Sequence, residues 1–266
     1  MKRIPLLVVG LWLLVSVLSL LLPIAPNEID LARIARPPTL EHWLGCDELG
    51  RPVLDRLIVG ARNSLAIALL VVSLSFLIGV PLGMCGALLG GIWDRAAVFL
   101  MDVVLAFPGI LLAIALAGFL GPGPGNAVLA LSAGGWVAFA RLSRAQTLAL
   151  KQLGHVEAAR ALGTPPPAIL GRHVLPLLFS VLSVQLPYEI AGIVIAESTL
   201  SFLGLGVQPP GASLGSMILE GSRHMLVAPH IVLAPGLTIL ALVLSVNLLG
   251  DAARDALGGR RQGNGG

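Results

Sequence analysis

No charged side chain interrupts the chain between Arg62 and Asp94. A run of that length, built mostly of Leu, Val, Ile, Ala and Gly, exceeds the roughly 20 helical residues needed to cross a hydrocarbon core. Apolar residues make up 56% of the 266-residue chain and charged residues only 12%. A soluble domain carries about 25% charged residues, and the mean hydropathy here is +0.92. Lipid is therefore the expected solvent for most of the molecule.

Uncharged stretches divide the rest of the chain into an all-α, polytopic arrangement of six transmembrane helices. The first lies within residues 1–27, behind Lys2 and Arg3. Its apolar part, Leu6 to Leu22, exceeds the 7–15-residue core of a secretory signal and lacks a clear small-x-small exit, so it is expected to be retained. A polar segment, 28–63, follows. Within it Val53, Leu54, Leu57, Ile58 and Ala61 form an apolar stripe at helical spacing. That pattern predicts a helix lying on the outer membrane surface and leading into span two. Residues 64–250 hold the other five helices. Span two lies in Asn63 to Trp93, and span three runs from near Ala96 to before Gly121-Pro122-Gly123-Pro124-Gly125. Span four covers Ala127 to Ala140, span five Val174 to Thr199, and span six Ile231 to Gly250. Residues 251–266 form a tail whose glycine-rich end is expected to be unstructured.

Loop charge sets the orientation, because short cytoplasmic connections collect Lys and Arg. Segment 141–173 carries Arg141, Arg144, Lys151, Arg160 and Arg172 against Glu157 alone. Segment 23–63 has slightly more acids than bases, and in 201–228 Arg223 is balanced by Glu220. With six spans, loop 141–173 and both termini fall on one side, read as the cytoplasm of a cell with an inner membrane.

Several function classes find little support. Cys46 and Cys85 lie in unlike contexts and are read as unpaired thiols. The five histidines are scattered, without zinc spacing. No basic stripe with interleaved aromatics marks a nucleic-acid surface. The only lysines, Lys2 and Lys151, are neither preceded by glycine nor followed by Ser or Thr, so no Walker A loop is present. Spans two to four lack histidine and no G-x-S-x-G elbow occurs, which disfavours an intramembrane enzyme. A gradient-driven carrier stays open as a rival, although no internal repeat is visible.

The most informative stretch runs from His155 to Pro176. Val156 to Leu162 favour a helix, and Gly163 is placed to end it. Thr164 can cap the next helix, which the proline run places at Pro167. Two short helices joined at Gly163 result, presenting a low, alanine-rich ridge that suits a partner's groove better than a lipid surface. The intramembrane acids Asp102, Glu189 and Glu197 should each face protein or water, because a charge at mid-bilayer is costly. They are candidates to line a polar path through the bundle, with local pinning at helix ends as the alternative.

Glu157-Ala158-Ala159, then Gly163, then Leu175-Pro176, resemble the cytoplasmic coupling motif of binding-protein-dependent ABC importer permeases. His173 before Leu175-Pro176 is similar to the dipeptide, oligopeptide and nickel branch. So are Leu44 to Arg51, Arg56-Leu57-Ile58, Gly60-Ala61-Arg62, Asp102 with Ala106-Phe107-Pro108, Ala140-Arg141, Ser201 to Val207, and Asn247 to Asp251 with Arg254-Asp255. Their order resembles the second permease of the pair. Cys46, Pro52 and Leu214 depart from the usual threonine, aspartate and tryptophan. The resemblance implies that Glu157, Ala158, Ala159, Arg160, Gly163, His173, Leu175 and Pro176 couple to an ATPase. It also implies three kinds of partner, namely a second permease subunit, ATP-binding subunits and an external solute-binding protein. Peptides or similar small polar solutes are the implied cargo, with a nickel complex as the alternative within the branch. The chain itself is expected to be non-catalytic and to need no cofactor.

Overall fold

The structure, a computed structural model, describes residues 3–19 and 24–262. Ten α-helices cover most of the described residues. In order they are α1 (Arg3–Leu18), α2 (Val53–Leu89), α3 (Gly91–Leu105), α4 (Gly109–Leu120) and α5 (Pro124–Leu150). There follow α6 (Gly154–Ala161), α7 (Pro166–Ile169), α8 (Leu175–Phe202), α9 (Leu214–Ser222) and α10 (His230–Gln262). Residues 20–23 of the first expected span lie outside the described residues.

Three helical stretches are each long and apolar enough to cross a bilayer, Val53–Leu89, Pro166–Phe202 and His230–Asp255. The pair α3 and α4 makes a fourth if taken as one broken span, bent by 81°. That break falls inside the expected span three. Pro108 has no N–H to donate and disfavours the α region at the residue before it, and α3 stops at Leu105. The helix restarts at Gly109 with Pro108 as its N-cap.

The expected surface helix before span two is also corrected. Residues 53–61 are the first turns of α2, one 37-residue helix. At 1.5 Å per residue it is about 55 Å long, well beyond the roughly 30 Å hydrocarbon core. No glycine or proline separates Ala61 from Leu65, so nothing breaks the helix there. Val53 and Ala61 of the stripe are buried by protein, while Leu54, Leu57 and Ile58 are half-buried. Val53 joins Ala212, Met217, Ala228 and Ile231 in a small core, and Arg56 is only 1% exposed.

Charge neutralisation makes that burial possible. Arg51 Nε donates to Asp47 Oδ2 at 2.6 Å, and Arg51 and Arg56 both donate to Glu220 Oε2, at 2.9 and 2.7 Å. Glu48 meets His224 Nε2 at 2.9 Å. Asp47, Arg51, Arg56 and Glu220 thus form one ion network, with the Glu48–His224 pair separate from it. It joins segment 24–52 to α2 and α9 at one end of the bundle. Gly123 N–H donates to Leu205 O at that same end, so the α4–α5 turn and the end of α8 lie there too.

The opposite end is tied by Asp94 and Arg144, a two-bond pair at 2.6 and 2.8 Å joining α3 to α5. Lys151 Nζ donates to Ala87 O at 3.1 Å, in the last turn of α2. Between these ends α2 and α5 form the most extensive helix pair. Gly79 and Gly83 allow the close approach, since an added Cβ would overlap the carbonyl oxygens of Trp136 and Ala140. The main core continues from α2, α4 and α5 through α8 to Leu242 and Val246 of α10. Contrary to the expected loose tail, α10 runs on to Gln262, and residues 263–266 lie outside the described residues.

Candidate coupling surface and translocation cavity

Two surfaces carry the sequence-predicted residues, and the first is the turn around Gly163. There φ is +79°, a region that side chains with a Cβ rarely adopt. Gly163 N–H donates to Arg160 O at 3.0 Å and Thr164 N–H to Ala159 O at 3.1 Å. This pair of bonds is the Schellman ending, which satisfies carbonyls that a helix terminus otherwise leaves open. Thr164 contributes its backbone and not a side-chain cap. The next helix begins at Pro166, one residue before the expected start, with Pro165 as its N-cap.

The two helices are seated on the bundle through one face. Val156, Ile169 and Val174 belong to the same buried cluster as the spans, and Ala159 is buried beside them. The other face is free. Glu157, Ala158, Arg160, Ala161 and Gly163 are exposed, and Leu162 is 86% exposed. The structure therefore divides the predicted coupling set. Glu157, Ala158, Arg160 and Gly163 lie on the outward ridge, Ala159 faces the bundle, and His173 is half-buried with its ring 6.0 Å from that of His155. Leu175 and Pro176 open α8 after a π-helical turn, Leu170–Val174. Leu162 is the residue that sequence reasoning missed. Its signal is the spacing 158, 161, 162, a second helical stripe opposite Val156 and Ala159.

The second surface is a cavity of about 410 Å³ beside the α3–α4 break. Its lining includes Phe107 and Ile110 from the break, Gly134, Gly135 and Arg141 from α5, and Glu189 from α8. Glu189, two residues after Pro187, accepts a hydrogen bond from Gln185 Nε2 at 2.7 Å and is half-buried. The other two candidate acids do not open onto this cavity. Glu197 is fully buried, with Oε1 accepting from Ser201 Oγ at 2.7 Å, in the region where α8 and α9 pack closely at Ser198 and Gly215. Asp102 stands exposed in the last turn of α3 and makes no ion pair among the described residues. Eight residues separate Glu189 from Glu197, about 80° of helix rotation, which is enough to send one to the cavity and the other into the packed interior. Arg141, read from sequence as part of the basic segment 141–173, is the unanticipated cavity residue.

Over residues 75–262 the chain matches the family described as binding-protein-dependent transport system inner membrane component. It belongs to that family. This permease is 43% identical over 233 residues to the glutathione transport system permease protein GsiD of Pectobacterium atrosepticum, covering 88% of this chain and 77% of that relative. It is 42% identical to the protein of the same description from Escherichia coli, with the same coverage. Its fold is similar to a chain of the MetNI methionine ABC transporter in an inward-facing conformation, with TM-score 0.62, 21% identity, and coverage of 77% of this chain and 97% of that one. A chain of an amino acid ABC transporter gives TM-score 0.56 at 19% identity, covering 78% and 94%. The chain is an all-α, membrane-embedded permease subunit of an ATP-driven importer. It is non-catalytic, and ATP hydrolysis resides in a separate subunit.

Proposed function

We propose that the permease receives the ATPase stroke through the ridge Glu157–Gly163 and passes it into α8. The observation that carries this reading is the two-faced seating of the ridge. One face is fixed in the transmembrane core by Val156, Ile169 and Val174, while Ala158, Ala161 and Leu162 stand uncovered. A leucine left 86% exposed at the tip of this turn is available to a partner's apolar groove. The ATP-binding subunits are that partner, the ridge faces the cytoplasm, and both termini share its side. The positive excess of segment 141–173 supports this orientation.

In this reading six segments cross the membrane, with α1, the α3–α4 pair and α5 adding to the three long apolar stretches. A second permease subunit completes the path, and an external solute-binding protein delivers cargo to the end carrying segment 24–52 and α9. The cargo is a small peptide, since the similar curated permeases are described by glutathione, itself a tripeptide. Leu162→Glu tests the coupling role in the assembled transporter. Membrane abundance should match wild type, while co-purification of the ATPase and peptide uptake fall at least fivefold. Undiminished ATPase capture and uptake would refute it.

A further inference from the structure

The cavity beside the α3–α4 break holds two opposite charges with no ionic partner. Glu189 accepts only the neutral amide of Gln185. Arg141 forms no ion pair among the described residues and stands exposed at the rim. Elsewhere Arg51, Arg56, Asp94 and Arg144 all sit in short ion pairs, while the buried Glu197, like Glu189, accepts only from a neutral side chain. Glu189 and Arg141 come from neighbouring helices, line one space, and do not close on each other.

The walls between them are shaped for a ligand. Gly109, Gly134 and Gly135 leave backbone at the surface, while Phe107, Ile110, Leu131 and Ile193 supply apolar sides. The volume of about 410 Å³ lies within the range of small-molecule sites. An extended chain advances about 3.3–3.6 Å per residue, so a two- or three-residue peptide spans a gap that a direct ion pair does not.

We propose that Arg141 and Glu189 form a zwitterion-recognising site in the translocation path, taking short peptides with a free carboxylate and a free amine. Arg141 presents its planar fork to the terminal carboxylate, a geometry suited to two parallel hydrogen bonds. Glu189 receives the terminal ammonium, and the glycine-lined wall accommodates the peptide backbone. The proposal rests on reading the chain as a permease for peptide-like solutes and adds which chemical ends the membrane subunit itself reads.

The test is equilibrium binding of radiolabelled trialanine to the assembled permease–ATPase complex, without any solute-binding protein. Trialanine is compared with its N-acetyl and C-amide forms. The wild-type complex should bind trialanine at least tenfold more tightly than either blocked form. Glu189→Gln should lose at least tenfold for trialanine yet bind the N-acetyl form as wild type does. Arg141→Gln should do the same with respect to the C-amide form. Equal binding of free and blocked peptides by wild type would overturn the proposal without any variant being needed, as would no detectable trialanine binding. Gly163→Val separates the two readings, because it should retain trialanine binding while losing uptake. Retained uptake in Gly163→Val refutes the coupling role and leaves the zwitterion site to stand or fall on the binding data.

Discussion

At Gly163 a Cβ would meet no protein atom within 4 Å, while φ is +79°. Substitution there is penalised by backbone conformation alone, roughly 1–2 kcal/mol, too little to unfold the bundle. Gly163→Val is therefore expected to keep normal membrane abundance while uptake falls severalfold. Gly163→Asn, whose side chain tolerates this conformation better, should retain most uptake. Measuring abundance and transport in parallel checks both. Arg56 makes the contrasting case, because its guanidinium is 1% exposed and depends on Glu220 and Asp47. Glu220→Gln leaves buried positive charge uncompensated, and the expected loss is about 3–5 kcal/mol, visible as a clear drop in melting temperature and yield. Cys46 lies beneath the same cap, and burial pushes its thiol up. With little thiolate and no access, Cys46 should resist a water-soluble maleimide near neutral pH until the protein is denatured. The Gly163 turn is legible in sequence because one residue type answers one backbone need. The Arg56–Glu220 contact is not, because nothing local links residues 164 positions apart.

Among helices, the α2–α5 seam depends on Gly79 and Gly83. Their Cβ positions are already occupied by the backbone of Trp136 and Ala140. Gly79→Ala and Gly83→Ala should each cost about 1–3 kcal/mol through forced separation. Gly134→Ala, which meets nothing within 4 Å, should be neutral. Thermal melts of the three variants in one detergent would check the ordering. Hydropathy makes spans two, five and six legible, since a bilayer crossing needs only a long uncharged run. It misplaces the start of α2 for a physical reason: the stripe Val53, Leu57 and Ala61 reads the same whether lipid or protein covers it. Ala106-Phe107-Pro108 marks the broken span in sequence, yet apolar composition on both sides of the break makes the segment read as one crossing. The cavity that forms there, with Arg141 and Glu189 on separate helices, exists only once α4, α5 and α8 are packed.

For the whole molecule, Leu162 and Leu226 are exposed tips at opposite ends of the bundle. On a cysteine-free background, Leu226→Cys should react with an impermeant reagent in intact cells, and Leu162→Cys only after the membrane is opened. The reverse pattern would invert the proposed orientation. The ion network at one end and the Lys151–Ala87 bond at the other hold α2 at both extremities. In mechanical terms α2 is a post set in two bearings, and a post fixed at both ends cannot be the swinging member. The coupling ridge hangs instead from α8, across the five-residue π turn Leu170–Val174, where the backbone ladder changes pitch. Under the proposed coupling, force entering at Leu162 acts as torque on α8. In that proposal the cavity wall carrying Glu189 turns with α8, while the wall carrying Arg141 stays with α5, which packs along the post.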